Sequence, residues 1–253
     1  MDKIDYLNDN ISFISLVDQM EKDPALKTVN SARISYAKTK DNYDDKDKKL
    51  ASFLWQHEHT SPFRHSYFTF HVKAPLFVFR QLMKYQVGSG FRTYEVDGKE
   101  VSLQVFDHYY DDDKGCSWNE ISGRYTQTSD QFYIPKVARA NPPHGNKQSS
   151  SDIPSDSRLH DVMKSEMEIL ANSAKTTYDF LIRMGVAKEI ARMILPQNIY
   201  SEAYWTVSLQ SIIHFLHQRL KPDAQHEIRL LAEGIYLLME STLNKLGITK
   251  DLL

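Results

Sequence analysis

The stretch Ser117-Trp-Asn-Glu-Ile-Ser-Gly-Arg-Tyr125 carries the most information about the fold and chemistry of this chain. It holds a carboxylate, a guanidinium, a carboxamide, two serine hydroxyls and a glycine, with Trp118 and Ile121 as its only indole or aliphatic side chains. Burying so many hydrogen-bonding groups is costly unless they contact something polar. The segment Ser122-Gly123-Arg124 suits an anion, because glycine lets the backbone come close and arginine offers a planar, two-pronged donor. A polar turn after the run Asp111–Lys114 remains the alternative at this point.

Composition limits the class of protein. The chain has 253 residues, of which 25% are charged, and a net charge of -2. It can bury a full core, and its charge argues against a nucleic-acid surface while still allowing a pocket for one phosphate. The single cysteine, Cys116, excludes an internal disulfide and a multi-cysteine metal site and fits a reducing cytoplasm. No apolar run reaches membrane-spanning length, and the first residues do not resemble a signal peptide. We therefore expect a soluble cytoplasmic protein with neither nucleic acid nor a membrane as partner.

The hydrophobic pattern predicts an α+β fold. Tyr67–Lys73 alternates, with Phe68, Phe70 and Val72 on one face, which predicts a strand, and Pro75 then suits the first turn of a helix. The predicted helices cover 11–21, 27–37, 76 to about 86, 158–185, 187–195, 202–218 and 222 to about 247. Because the strands come early and the helices late, this order favours an α+β domain over repeated βαβ units.

Two segments interrupt this pattern. Within 88–116, Asp97-Gly98 separates Arg92–Val96 from Lys99–Val105, which is a strong hairpin signal and predicts an inserted hairpin. The segment 141–157 is rich in Asn, Pro and Ser and predicts a flexible loop. Since no internal repeat is present, we expect one domain over 1–253.

Metal and thiol chemistry are not indicated. The histidines that crowd one short stretch are His57, His59, His65 and His71. Cysteine and an obvious carboxylate ligand are lacking around them, so ordinary polar histidines, or one that contacts a ligand, are favoured over zinc, and no metal site is predicted. Cys116 lies near Asp111–Asp113, whose charge disfavours a thiolate nucleophile.

Two late arginines are candidates for binding an anion. Arg192 has apolar neighbours on both sides in Ile190-Ala-Arg-Met-Ile-Leu195, and an arginine buried there would need an anionic partner. Arg219 follows an apolar, aromatic helix, where either an anionic ligand or the helix dipole explains a cation.

Together these pieces resemble the flavin-dependent thymidylate synthases (ThyX) over nearly the whole chain. Besides Ser117–Tyr125, the matching motifs are His59-Thr-Ser-Pro-Phe63, Phe68-Thr-Phe-His-Val-Lys-Ala-Pro75, Arg80-Gln81, Phe132-Tyr-Ile-Pro135, Ala191-Arg-Met-Ile-Leu-Pro196, Trp205-Thr-Val207, Arg219 and Ala224-Gln225-x-Glu227-Ile228. The resemblance implies a single α+β catalytic domain with a mostly antiparallel central sheet and a helical C-terminal half. It also implies a homotetramer that binds FAD and converts dUMP into dTMP, with methylenetetrahydrofolate as carbon donor and NADPH as reductant.

The resemblance also implies roles for individual residues. Arg219 is the expected catalytic residue, since a cation against the uracil favours its N3-deprotonated form and makes C5 more nucleophilic. The implied dUMP site comprises Gln81, Lys84, Glu120, Ile121, Ser122, Gly123, Arg124, Arg192 and Arg219. The implied FAD site comprises His59, Ser61, Lys84, Tyr85, Gln86, Asn119, Glu120, Ser208, Leu209, Gln210 and His214.

The chain departs from the family pattern around the flavin. The family has Arg-His-Arg a short gap before the nine-residue block, whereas here Lys84-Tyr85-Gln86 precede the longer hairpin segment. Lys84 keeps a charge without the bidentate fork and Tyr85 can still stack on a ring, but Gln86 removes a cation and Gln210 stands where the family usually has arginine. Our hypothesis is that Arg92, or another basic residue of the hairpin segment, partly replaces the lost charge. An unchanged FAD affinity in Arg92→Ala would refute it.

These departures leave two alternatives open. One is a paralogue that releases a hydroxymethyl pyrimidine nucleotide or accepts dCMP. The other is a non-catalytic relative that binds the nucleotide and has lost the flavin chemistry.

Overall fold

The computed structural model describes residues 3–85, 117–126, 129–140, 150–152 and 157–253, together with the backbone of 91–96 and 99–104. Its strands are β1 (Phe13–Gln19), β2 (Tyr67–Pro75), β3 (Phe91–Val96), β4 (Lys99–Gln104), β5 (Ser117–Glu120), β6 (Arg139–Ala140), β7 (Ser151–Asp152) and β8 (Tyr200–Ser208). Its α-helices are α1 (Pro24–Arg33), α2 (Asp45–Gln56), α3 (Leu76–Leu82), α4 (Arg158–Arg183), α5 (Lys188–Ala191), α6 (Leu209–Arg219) and α7 (His226–Lys245). Short 3-10 helices cover Ile34–Tyr36, Ser61–His65, Arg192–Ile194 and Lys250–Leu252.

A four-stranded antiparallel sheet in the order β1-β2-β8-β5 forms the centre of the molecule. The predicted strand is present as β2, and its Phe68, Phe70 and Val72 point into the core as the alternation requires. β8 contributes Ala203, Trp205 and Val207 to the same face. The helices α6 and α7 pack there, which confirms the predicted α+β class with a mostly antiparallel sheet.

Two glycines end the long helices as predicted. After α4, Gly185 adopts φ +85°, and Val186 N donates to Leu181 O at 3.0 Å. After α7, Gly247 adopts φ +72°, and Ile248 N donates to Leu243 O at 3.0 Å. Both ends are Schellman motifs, in which a left-handed residue lets the next amide reach back to a helix carbonyl.

Several predicted boundaries are wrong. The helix predicted at 11–21 is instead strand β1 over Phe13–Gln19, and a register shift between Leu16 and Asp18 breaks the alternation that would have indicated a strand. Strand β8 occupies the first part of the helix predicted at 202–218, and α6 begins only after its N-cap Ser208. The helix predicted from 76 ends at Leu82, and 187–195 divides into α5 and a 3-10 turn.

The two interrupting segments are described only in part. β3 and β4 pair antiparallel with Val96 opposite Lys99, as a hairpin does. The turn residues Asp97-Gly98, most of 141–157 and Cys116 lie outside the described residues. Within the described part of the chain, none of the helices is long and apolar enough to cross a membrane.

Candidate functional site

The nine-residue block Ser117–Tyr125 lies at the edge of the central sheet. Its first four residues form β5, which pairs with β8 so that Glu120 stands opposite Ala203. Ile121 N continues the pairing by donating to Glu202 O at 2.9 Å. The chain then turns, and Ser122 O accepts from Tyr125 N at 3.0 Å. The block therefore combines a fixed strand with a tight polar turn that contains the buried Gly123.

The Glu120 carboxylate is held from two sides. Ser201 Oγ donates to Glu120 Oε1 at 2.7 Å, and Trp118 Nε1 donates to Glu120 Oε2 at 3.3 Å. The carboxyl group remains exposed despite these bonds. It is thus oriented in advance and still accessible to a ligand.

A pocket of about 330 Å³ opens beside this carboxylate. Four of the predicted nucleotide-binding residues line it: Glu120, Ile121, Gly123 and Arg192. Lys73 from β2 adds a second cation to the lining. Two cations beside a backbone turn with a buried glycine suit a phosphate, and Glu120 can accept hydrogen bonds from a sugar or a base.

The other predicted nucleotide-binding residues lie outside the described lining of this pocket. Ser122 is fixed within its own turn, where its Oγ accepts from Arg124 N at 3.3 Å. The Arg124 side chain is exposed and lies over the Tyr125 ring, with Cζ 5.1 Å from the ring centre. Gln81 and Lys84 lie at the end of α3 and beyond it.

The buried environment expected for Arg192 is not present. Arg192 is exposed, and its apolar neighbours Met193 and Ile194 are exposed as well. Water therefore solvates the guanidinium, so its charge does not require a partner within the chain. Its position in the pocket lining, rather than burial, makes it a candidate for binding an anion.

A second group gathers around Tyr85 and Arg219. Arg219 Cζ lies 5.3 Å from the centre of the buried Tyr85 ring, a cation-π geometry. Burial raises the pKa of the Tyr85 hydroxyl, although the Arg219 charge and hydrogen bond oppose this. Arg219 Nε is buried and has no hydrogen-bond partner within the described part of the chain. A buried donor of this kind is costly, which favours a ligand acceptor there.

His214 belongs to the same group. Its ring centre lies 5.7 Å from that of Tyr85. Burial, followed by the nearby charges of His217 and Lys221, lowers the pKa of His214. A neutral imidazole at this position can donate one hydrogen bond and accept another.

The start of α6 holds three of the predicted flavin-binding residues. Ser208 is the buried N-cap, and its side chain accepts from Ser211 N at 3.3 Å. Leu209 is fully buried in the core, so its side chain cannot reach a ligand. Gln210 Oε1 accepts from Arg64 Nε at 2.6 Å. Arg64 was absent from the sequence prediction. Its guanidinium lies against Gln210, the position at which the family usually has arginine.

Two neighbouring pockets are lined by four of the predicted flavin-binding residues. One, of about 560 Å³, is lined by Gln210 and His214 together with Thr60 and His217. The other, of about 660 Å³, is lined by His59 and Ser61 and by residues that sequence reasoning missed, namely Ser31, Arg33, Ser35, Tyr36, Lys38 and His65. Asn119 and Lys84 are exposed elsewhere, and Gln86 lies outside the described residues.

The donor set of the larger pocket fits a flavin dinucleotide. Phosphates need cations and hydroxyl donors, which Arg33, Lys38 and Ser35 supply. Arg33 Nη1 is buried with no partner in the described part of the chain, although Arg33 Nη2 pairs with Asp47. Tyr36 offers an exposed ring for stacking. Among the described residues, no three His, Cys, Asp or Glu side chains gather as a metal site would require.

A buried carboxylate lies behind Gln81. Glu227, at the start of α7, accepts from Tyr133 Oη at 3.0 Å and from Arg139. It also accepts from Gln225 Nε2 at 3.0 Å, and Gln225 Oε1 accepts from Gln81 Nε2 at 2.7 Å. The motif Ala224-Gln225-x-Glu227-Ile228 gave the sequence signal for this cluster, but it suggested no role.

Fold and site together define an α+β protein with a nucleotide-sized pocket suited to an anionic ligand and a separate pocket with cationic and aromatic side chains. The chain belongs to the family described as thymidylate synthase complementing protein, whose model matches residues 15–243. The predicted membership of the ThyX family is thereby confirmed.

Several relatives are named flavin-dependent thymidylate synthase. The protein of Thermosipho africanus is 37% identical over 226 residues, covering 88% of this chain and 83% of its own length. That of Kosmotoga olearia is 34% identical over 232 residues, covering 90% and 85%. Among solved structures, a UMP/dUMP methylase (PolB) from Streptomyces cacaoi bound with 5-Br dUMP is 26% identical. Its TM-score is 0.70, and the alignment covers 94% of this chain and 93% of that chain.

Proposed function

We propose that this protein is a flavin-dependent thymidylate synthase that converts dUMP into dTMP. The observation that carries the proposal is the pocket in which Glu120, Ile121, Gly123 and Arg192 meet. The names of the relatives and the nucleotide held by the Streptomyces cacaoi methylase support the same conclusion. No observation favours a hydroxymethyl product, dCMP as substrate or a non-catalytic role.

In this proposal the nucleotide pocket binds dUMP by its charge and its backbone. Arg192 and Lys73 face the phosphate, and the turn at Ser122 and Gly123 approaches it closely. Arg124 follows Gly123 in the same turn and supplies a further cation when its side chain moves from the Tyr125 ring toward the phosphate. Glu120, held by Ser201, accepts a hydrogen bond from the sugar or base.

Arg219 is proposed to polarise the uracil. Its buried Nε, without a partner in the described part of the chain, is suited to an oxygen or nitrogen acceptor of the base. The Arg219 cation, which packs on the Tyr85 ring, stabilises the N3-deprotonated form of the uracil and so raises the electron density at C5 of the base. This activation needs no enzyme thiol.

FAD, when bound, supplies the hydride that completes the methyl group. The residues proposed to hold it are Ser61 and His59 in the larger pocket, Gln210 and His214 in the neighbouring one, and Tyr85 beside Arg219. Ser208, Lys84, Gln86, Asn119 and Glu120 complete the proposed set, with Leu209 contributing only its backbone, because its side chain is buried in the core. Their task is to bind and orient the ring system and to exclude water from it.

Methylenetetrahydrofolate as carbon donor, NADPH as reductant, a cytoplasmic location and a homotetramer are parts of the same proposal. Helix α4 supports an assembly, because Ile169, Leu170 and Phe180 are each more than half exposed along it. Three large apolar side chains exposed on one helix favour burial against another subunit.

One reconstitution experiment tests the function. The purified protein is inspected for the flavin absorption spectrum, supplied with dUMP, methylenetetrahydrofolate and NADPH, and its product is identified by mass. We expect dTMP. A hydroxymethyl nucleotide would replace the proposal with the paralogue, and a colourless protein that binds dUMP without taking up FAD would replace it with a binding module.

A matched pair of variants tests the pocket itself. Arg192→Ala should weaken dUMP binding about tenfold or more, because one charge-assisted contact to phosphate is lost. Arg183→Ala is the control, since Arg183 is an exposed arginine in the last turn of α4 that does not line the pocket. Equal affinities of the two variants by titration calorimetry would contradict the placement of the phosphate.

A further inference from the structure

A chain of hydrogen bonds connects α3 to α7, and at each step the donor and the acceptor are fixed: Gln81 donates to Gln225, and Gln225 donates to Glu227. Its origin is Glu227, whose side chain is 1% exposed. Burial would raise the pKa of Glu227, but the Arg139 charge and the hydrogen bonds from Arg139 and Gln225 outweigh it, and the pKa lies below its usual value. The group is therefore a carboxylate at neutral pH, and both of its oxygens only accept hydrogen bonds.

The direction passes through two carboxamides. Facing Glu227 Oε2, Gln225 must present its amide nitrogen, and it does so at 3.0 Å. The Gln225 carbonyl oxygen is thereby turned toward α3, where it accepts from Gln81 Nε2 at 2.7 Å. Gln81 in turn uses one N–H of its amide on Gln225, so its carbonyl oxygen lies on the side away from Gln225, where it can accept from a ligand. Reversing either amide would set two acceptors or two donors against each other.

We propose that Gln225 and Glu227 are positioning residues that lock the Gln81 side chain with its carbonyl oxygen toward the bound nucleotide. Gln81 then presents an acceptor to a hydrogen-bond donor of the nucleotide, an N–H or O–H group. The inference rests on the proposed function, and it takes Gln81 as one of the dUMP-binding residues that the resemblance to the family implies.

The test exchanges the donors and acceptors of this chain, so that the Gln81 amide presents its nitrogen rather than its oxygen to the nucleotide. In Gln225→Lys, the introduced ammonium donates both to Glu227 and to the Gln81 carbonyl oxygen, so that Gln81 turns its nitrogen toward the nucleotide. In Gln81→Glu, an acceptor faces the Gln225 carbonyl oxygen and the chain is broken. In the double variant, the introduced carboxylate accepts from the introduced ammonium and presents an acceptor to the nucleotide again.

The expected affinities follow from this direction. Measured by calorimetry with dUMP on the flavin-loaded protein, Gln225→Lys binds about 10- to 100-fold more weakly than wild type. Gln225→Met, which frees Gln81 to rotate, loses about three- to tenfold. The double variant Gln81→Glu/Gln225→Lys recovers to within about threefold of wild type, a non-additivity that a merely structural role of these residues does not produce.

Two results would overturn the inference alone: wild-type dUMP affinity in Gln225→Met, or a double variant that binds no better than the weaker single variant. Thermal unfolding midpoints and flavin content identify any variant that fails to fold, and Gln225→Met, which leaves the Glu227–Arg139 pair intact, then decides. A wild-type protein that does not bind dUMP would overturn the proposed function itself, and this inference with it.

Discussion

The pairing of Glu227 with Arg139 allows a quantitative prediction about stability. The side chain of Glu227 is 1% exposed and that of Arg139 is 21% exposed, so the pair is largely removed from water. In Glu227→Gln the shape is kept and the charge is lost, which leaves Arg139 without an anion and Tyr133 with a weaker acceptor. Removing one partner of a buried pair typically costs about 3–5 kcal/mol. Because Arg139 retains some contact with water, we expect a loss of about 2–3 kcal/mol.

Urea unfolding of a double-mutant cycle measures this loss. Arg139→Met alone should also destabilise the protein. The double variant should be more stable than the sum of the single effects predicts, by about 1 kcal/mol or more. All samples are compared at one protein concentration, because assembly contributes to apparent stability.

The exposed pair Lys245–Asp23, at 3.1 Å, is the control for this cycle. The exposed fractions of its side chains are 49% and 29%, and its coupling should be below about 1 kcal/mol. If the Glu227–Arg139 coupling is no larger than that of the control pair, the description of Glu227 as a buried, ionised anchor is refuted.

Three further outcomes are expected. The pKa of Glu227 is lower in the folded than in the unfolded protein, so its stabilising contribution is present at neutral pH and is lost as the pH falls through the folded pKa. Urea titrations should therefore show the free energies of unfolding of wild type and Arg139→Met converging in acid. Gly234→Ala would place a Cβ 2.9 Å from Ile14 Cγ2, and it should destabilise the protein by about 1–2 kcal/mol although alanine has the better helix propensity. An unchanged midpoint of thermal unfolding would show that the Ile14 side chain moves aside without cost. Arg219→Gln should lower the rate of dTMP formation at least about tenfold with little change in stability, and equal rates would exclude Arg219 from activating the base.

Much of the fold was predictable where one physical signal dominated. The alternation of Phe68, Phe70 and Val72 identified β2, and Gly185 and Gly247 marked the helix ends, because left-handed backbone favours glycine. The wrong predictions arose where two signals competed. In β8 the buried residues Ala203, Trp205 and Val207 alternate, but the apolar helix that follows masked this pattern. Ser208, with its side chain on Ser211 N, was a cap signal that would have separated the two elements.

The candidate site was predictable in its members more than in its arrangement. Motifs indicated Glu120, Gly123 and Arg192, and the structure brings these together. The contact of Arg64 with Gln210 joins residues far apart in sequence, and no local pattern indicates it. Likewise, a sequence does not show that Arg219 Nε lacks a hydrogen-bond partner in the described part of the chain, because that depends on which residues the fold brings next to it.

The register of β5 on β8 has a consequence for how such a chain can change over time. Glu120 is positioned by its pairing opposite Ala203 and by the hydrogen bond from Ser201, two residues that lie far along the chain from β5. Residues can therefore be gained or lost between α3 and β5 without displacing the carboxylate, provided that the four paired residues stay in step. The number of residues upstream of the nucleotide pocket can therefore change without loss of the site. A single deletion inside Ser117–Glu120, by contrast, would shift the register by one residue and turn the shifted side chains to the opposite face of the sheet.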